Sequence, residues 1–292
     1  MKFATQRGLS RLLIALWVSA APAWAADIER TGGPYVPTPQ VVVDQMLRIA
    51  DVRASDYVID LGSGDGVIVL TAARQFKAAG MGVDIDPDLV RLSNDSARKL
   101  GVADRVRFVQ QDVFKTDIGK ASVLTLYLLP DMMINLRAKI FNELKPGARV
   151  VSHDYHFGNG WLPDDSYEFA VPEKEKITGA PTAIVYLWIV PARIAGTWQL
   201  KVAGGNAYEI TLRQRFQSVE GSAVAGGKPL LPRPLTLRGN DLSFALPDGD
   251  GVARFSGRVN GEVMEGTVEL PGAKAPARWT ATRTVAATVV TE

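Results

Sequence analysis

A chain of 292 residues exceeds the usual span of one domain, so two domains are the starting expectation. Its 47% apolar and 22% charged content is that of a globular protein, and the lack of cysteine excludes disulfide frameworks and cysteine zinc sites. A formal charge of +2 without a basic stripe gives no electrostatic footprint for a nucleic-acid partner.

Residues 1–25 read as a secretory leader. Lys2, Arg7 and Arg11 form a positive start, residues 12–21 an apolar stretch too short for a comfortable transmembrane helix, and Ala23-Trp24-Ala25 a small-x-small cleavage site. Cleavage would leave Ala26 first, and the expected location is the periplasm. Retention of the leader as an anchor would instead keep the protein at a membrane. Residues 27–40 hold Gly32, Gly33, Pro34, Pro37 and Pro39, which exclude regular structure. Thr38 is the expected N-cap and Pro39 the first position of a helix running to residue 50, with Val42, Val43, Met46, Leu47 and Ala50 on one face. The PYVPTP segment before it, with Tyr35, reads either as a cover for a ligand or as a surface linker.

From 57 to 150 strands and helices alternate, which predicts a parallel sheet flanked by helices. Strands are expected at 57–61, 80–85, 106–110, 122–128 and 149–153, with helices at 66–78, 87–100 and 131–144. The first strand runs into VIDLGSGDG, where Gly62, Gly64 and Gly66 allow a tight turn, a close backbone approach to a ligand and a helix starting against the strand. This is a nucleoside-cofactor loop without the lysine of a phosphate-binding loop. Ligands of such sheets bind beyond the carboxyl ends of the strands. Asp60 suits a ligand carrying its own positive charge. Asp84 lies 18 positions past Gly66, near the roughly 20-residue offset of an acid that accepts ribose hydroxyls. Asp112 ends QQDVF, where its carboxylate can accept from an adenine amino group with Val113 packed on the ring. Asp86, just before Pro87, reads as a helix N-cap.

DLGSGDG, GVDIDP, FVQQDVF and LKPGARVVS together resemble the motifs of the class I S-adenosylmethionine-dependent methyltransferases over about residues 34–190. More narrowly, YVPTPQVVVDQML, YLLPDMM and Gly160-Trp161-Leu162-Pro163 resemble the small membrane-associated protein-lysine methyltransferases. The chain departs from that branch at Val67, where arginine is usual, and in its added carboxyl-terminal region. The resemblance implies a seven-stranded Rossmann-like sheet, completed by strands at 167–171 and 182–190, with S-adenosyl-L-methionine as cofactor. It also implies a protein substrate and an acceptor channel walled by Tyr35, Tyr127, Tyr155 and Trp161. Asp131, His153 or Asp154 would orient the amine or take its proton, although Asp131 also reads as a cap for its own helix. His153 and His156 fall on opposite sides of an extended strand, so no metal site is expected.

Past Pro191 the pattern changes. Short alternating segments at 197–202, 208–213, 242–245, 253–259 and 262–269, broken by Gly-Gly, Gly-Asn, Asp-Gly and Asn-Gly, predict a small all-β meander or barrel over 193–287, with Trp198 and Trp279 plugging one end. The leader, 26–191 and 193–287 are thus the expected divisions. Nothing in the sequence bears on oligomeric state. Two other readings stand beside the enzyme: a non-catalytic nucleoside-binding or sensing protein of the cell envelope, and an envelope interaction protein built around the β region.

Overall fold

The computed structural model describes residues 33–291. The leader at 1–25, with its cleavage site, therefore lies outside the described residues. The described residues from 35 on form one compact unit that holds two sheets.

The first half runs α1 (Gln40–Ile49), β1 (Tyr57–Leu61), α2 (Val67–Phe76), β2 (Ala79–Asp84), α3 (Pro87–Lys99), β3 (Val106–Gln110), β4 (Val123–Leu126), α4 (Pro130–Glu143), β5 (Arg149–His153), β6 (Asp165–Ala170), α5 (Glu175–Thr178) and β7 (Thr182–Ile189). The sheet has seven strands in the order β3-β2-β1-β4-β5-β7-β6, as the resemblance implied. β3 to β5 are parallel, and β7 is antiparallel to both β5 and β6. The apolar run of β4 is buried throughout, as a central parallel strand covered on both faces requires. On one face α1 seats Val42, Val43, Met46 and Leu47 against Val151, Val185 and Leu187; on the other, α4 packs Met133, Leu136 and Ile140 against Leu124 and Leu126.

Two local expectations are corrected. Thr38 does not cap α1: Pro39 is the N-cap, makes no side-chain cap, and offers only its carbonyl to the N–H groups of Val42 and Val43. β4 ends at Leu126: Tyr127 and Leu128 lie outside the strand pairing and lead into α4. Asp86 does cap α3, accepting from the Asp88 N–H at 2.8 Å with Pro87 behind it.

The second sheet holds β8 (Gly196–Val202), β9 (Ala207–Arg215), β10 (Ser218–Ala225), β11 (Lys228–Leu230), β12 (Leu235–Arg238), β13 (Asp241–Asp248), β14 (Gly251–Asn260), β15 (Val263–Glu269) and β16 (Ala277–Ala286). Their order, β11-β10-β9-β8-β16-β15-β14-β13-β12, is that of an antiparallel half-barrel. Its inner residues alternate with polar outer ones, as in β9, whose Tyr208, Ile210 and Leu212 are buried between exposed Glu209, Thr211 and Arg213. Trp198 and Trp279 are both buried, but the register sets Trp198 opposite Arg283 and Trp279 opposite Val202, near opposite ends of the β8–β16 pairing. They do not form a single plug.

The amino ends of the parallel strands are pinned by charge. Arg149, at the start of β5, pairs with the buried Asp56 carboxylate and donates to the carbonyls of Ala50 at 3.0 Å and Asp51 at 2.9 Å, while Ser122 Oγ donates to Asp56 at 2.7 Å. Burial alone would raise the Asp56 pKa, but the hydrogen bonds from Ser122, the Arg53 N–H and Arg149 outweigh it and hold the carboxyl below its usual value. A depressed folded pKa gives stability that is present above about pH 4 and is lost as pH falls through the folded value. Asp56→Ala, which leaves Arg149 half-buried and unpaired, is expected to lower unfolding free energy by about 3 kcal/mol in urea denaturation at pH 7, with a smaller deficit at pH 3.

Candidate active site

The glycine loop at the end of β1 is built by backbone conformation. Gly62, Gly64 and Gly66 all have left-handed φ, at +79°, +53° and +81°. A Cβ on Gly64 would lie 2.5 Å from the Tyr35 ring, and one on Gly62 would lie 2.7 Å from Leu128 Cδ2. The loop thus lies between the entry segment and the residues following β4, and only glycine meets both the conformation and the space. It is tied to β2: the N–H groups of Gly62 and Ser63 donate to the Val83 carbonyl at 2.8 and 2.9 Å, and that of Gly64 to Asp84 Oδ2 at 2.8 Å. Asp84 Oδ1 accepts from the Asp86 N–H at 2.9 Å. Asp84 therefore organises the loop in addition to facing the ligand side of the sheet.

Asp60 is 2% exposed and sits on β1 between Gly82 and Thr125. Burial pushes its carboxyl up to about 7; the 2.7 Å hydrogen bond from Thr125 Oγ1 opposes this, and the Asp84 and Asp65 charges add to it. Ser63 Oγ, beside the same turn, is buried without a partner. Tyr35 lies across Gly64, its hydroxyl pKa raised by burial and by the nearby Asp65 and Asp84 carboxylates. Acids without a basic counter-charge and an orphaned hydroxyl fit a polar, cationic ligand at this turn. Asp112 lies at the end of β3 with Oδ1 accepting the Phe114 N–H at 2.8 Å. Val113 is turned into the core, so the exposed apolar neighbour of Asp112 is Phe114.

The ends of β4 and β5 carry a second cluster. The Tyr127 ring lies 4.1 Å from that of His153 and stacks at 6.2 Å on that of Tyr155. Leu128, the next residue, is the one against Gly62, so this aromatic set adjoins the loop. The Tyr127 hydroxyl is pushed up to about 12 by burial, then by Asp154 and Tyr155. His153 is 1% exposed with neither ring nitrogen hydrogen-bonded; burial, aided by Lys174 and opposed by Asp154, lowers its pKa to about 4, so it is neutral at pH 7. Asp154 has a left-handed φ of 59° and pairs with Lys174, a buried lysine that also donates to the Thr182 carbonyl at 2.7 Å. His156 is exposed, with Nδ1 accepting the Gly158 N–H. Asp131 is exposed in the first turn of α4 and has no hydrogen-bond partner among the described residues; the N-cap there is Leu129, so Asp131 is not a cap.

Trp161 requires correction. It is 0% exposed, stacked between Phe157 at 5.2 Å and Phe216 at 4.6 Å, and so walls no open channel. The Gly160-Trp161-Leu162-Pro163 stretch is a packing corner.

A parallel sheet with this turn at β1, acids beyond β1, β2 and β3, and an aromatic set beyond β4 and β5 defines a class I S-adenosylmethionine-dependent methyltransferase. A family model described as the ANTKMT methyltransferase domain matches residues 60–165. A protein-lysine N-methyltransferase of Saccharolobus islandicus is 44% identical over 133 residues, which are 45% of this chain and 82% of that protein. The adenine nucleotide translocase lysine N-methyltransferase of Mus musculus is 34% identical over 119 residues, 41% of this chain and 52% of that protein. The crystal structure of an RNA methyltransferase from Salinibacter ruber in complex with S-adenosyl-L-homocysteine is 47% identical with a TM-score of 0.49, covering 55% of this chain and 96% of that one. The chain belongs to this family of methyltransferases, with the half-barrel as an addition. It is an enzyme that uses S-adenosyl-L-methionine, which displaces the non-catalytic reading. Asp60, Ser63, the glycine turn and Asp84 are the residues that fit that cofactor.

The raised Asp60 pKa has a measurable sign. Between about pH 4 and pH 7 the folded protein holds a proton that the unfolded chain has released, so Asp60 costs stability progressively as pH rises through that window. A cation bound beside it stabilises the carboxylate and expels the proton. Calorimetric titration with S-adenosylmethionine at pH 6, in buffers of different ionisation enthalpy, is expected to show net proton release that Asp60→Asn abolishes. Binding without buffer dependence would contradict the assignment.

Proposed function

We propose that the chain transfers the methyl group to the side-chain amine of a protein lysine. The observation that carries this reading is the pair of half-buried rings Tyr127 and Tyr155, with the buried His153 ring against Tyr127, next to the glycine loop. The cofactor supplies a methyl group activated on a sulfonium. A lysine amine reacts only when neutral, and an aromatic passage favours the neutral form by withholding water. Neutral His153 adds no positive charge to repel the incoming ammonium, whereas the unpaired carboxylate of Asp131 attracts it, and the proton the ammonium loses on entering the passage goes to solvent water. The aromatic walls orient the amine and exclude water, which is most of what an in-line methyl displacement asks of a protein. The names of the Saccharolobus and mouse relatives support the same acceptor class.

The leader reading supports export, and with it a substrate in the cell envelope, close to the membrane. The experiment is incubation of envelope extract with methyl-labelled cofactor and the purified protein. Label is expected on lysine in one or a few proteins, and Tyr127→Ala should lower its rate by about 100-fold while cofactor affinity stays within about twofold. Label confined to lipid, RNA or small molecules would overturn the lysine reading. Amino-terminal sequencing of the protein from its native source is expected to begin at Ala26, and an intact leader in the cytoplasm would overturn export.

A further inference from the structure

The half-barrel is not merely tethered to the methyltransferase sheet. The turn between β9 and β10 consists of Phe216 and Gln217, and Phe216 has a left-handed φ of 49° and is 0% exposed. A large apolar residue in that conformation is unfavourable in a hairpin turn, where glycine or asparagine would adopt it at less cost. Its surroundings supply the compensation. The ring stacks on Trp161 at 4.6 Å with a 7° interplanar angle and meets Phe141 of α4 edge-on at 5.4 Å. Trp161 stacks in turn on Phe157, and Phe157 packs on Trp188 of β7 at 4.5 Å.

Polar contacts hold the same arrangement. Gln217 Nε2 donates to the Leu162 carbonyl. The buried Gln214 side chain accepts from the Ile194 N–H at 2.7 Å and donates to the carbonyls of Ala192 and Phe216 at 2.8 and 2.7 Å, locking the turn to the connection between the sheets. From the other side Arg137 of α4 donates to the Phe157 carbonyl at 3.3 Å. Residues 157–162 are thus clamped between α4 and the hairpin. The clamped stretch begins two residues after Tyr155, whose backbone is otherwise restrained at its β5 end: its N–H donates to the His153 carbonyl at 2.7 Å and its carbonyl accepts from Ser152 Oγ.

We propose that Phe216 is a positioning residue for methyl transfer: through Trp161 and Phe157 it fixes the segment that carries Tyr155, so that the half-barrel sets one wall of the acceptor passage. This rests on the acceptor entering beside Tyr127 and Tyr155. The clamp leaves the cofactor side untouched, since neither Phe216 nor Gln217 contacts the glycine loop or its acids. Loss of the Phe216 ring removes one of the two stacked partners of Trp161 and frees the segment at its distal end.

The test uses the full chain carrying Phe216→Ala, with Phe216→Leu as the conservative variant. Hydrogen exchange at 20 °C is expected to rise in residues 154–163 of Phe216→Ala and not in residues 60–66. The apparent kcat/KM for the acceptor should fall at least about tenfold, the affinity for S-adenosylmethionine should stay within about twofold, and Phe216→Leu should recover most of the loss. A variant that is only less stable would show lowered Tm with unchanged acceptor kinetics below it, which would overturn the proposal. Unchanged exchange in 154–163 would do the same. If wild-type enzyme labels an acceptor other than lysine, the lysine reading fails while the kinetic comparison is made on that acceptor; the exchange comparison needs no acceptor at all.

Discussion

The Asp84 carboxylate is the contact on which the site depends. One oxygen holds the Gly64 N–H and the other the Asp86 N–H, so a single side chain at the end of β2 fixes both the turn after β1 and the turn into α3. Three glycines in left-handed conformation would otherwise be the most mobile part of the sheet's ligand edge, because glycine loses more conformational freedom on ordering than any other residue. With that edge fixed, Tyr35 closes over Gly64, Leu128 against Gly62, and Tyr127 follows Leu128 into place. Cofactor loop and acceptor wall are therefore one construction.

Charge placement divides the two halves of that construction. On the cofactor side, Asp60, Asp65 and Asp84 gather without a basic partner, and Asp60 is driven toward its neutral form. On the acceptor side, His153 is driven toward its neutral form, and the buried cation Lys174 is matched by Asp154. The linkage signs are opposite. Asp60 penalises the folded state as pH rises from about 4 to 7, whereas His153, with a folded pKa below its unfolded one, penalises it as pH falls from about 6.5 toward 4. Single substitutions at Asp60 and His153 separate these two opposing contributions.

Much of this was legible in the sequence because it is local. The glycine spacing, the acid after each strand and the Asp86–Pro87 helix start are set within a few residues, and the five parallel strands follow from alternation of elements, while the closing pair that makes seven came from the resemblance. Long-range effects were hidden. Trp161 looked like a channel wall because its burying partner, Phe216, lies far along the chain on a different sheet. Lys174, in the run Glu173-Lys174-Glu175-Lys176, has the pattern of a solvated surface, and only the fold brings it to Asp154. β10 does not stand out in the sequence because Gly221, Ser222 and Ala223 give it almost no apolar alternation; it is held by pairing of residues 218–224 to β9. β4 was drawn too long because Tyr127 and Leu128 are as apolar as the strand, yet they serve the site and leave the ladder.

The central claim is that Asp84 and the glycine turn hold the cofactor. It is tested most directly by titrating the full chain and its Asp84→Ala variant with S-adenosylmethionine and with S-adenosylhomocysteine. Wild type is expected to bind both, and the variant to lose about 1.5 to 3 kcal/mol of binding, the range for removing hydrogen bonds to a charged group, on both ligands. Equal affinity in wild type and variant, or no binding by either, would contradict the account.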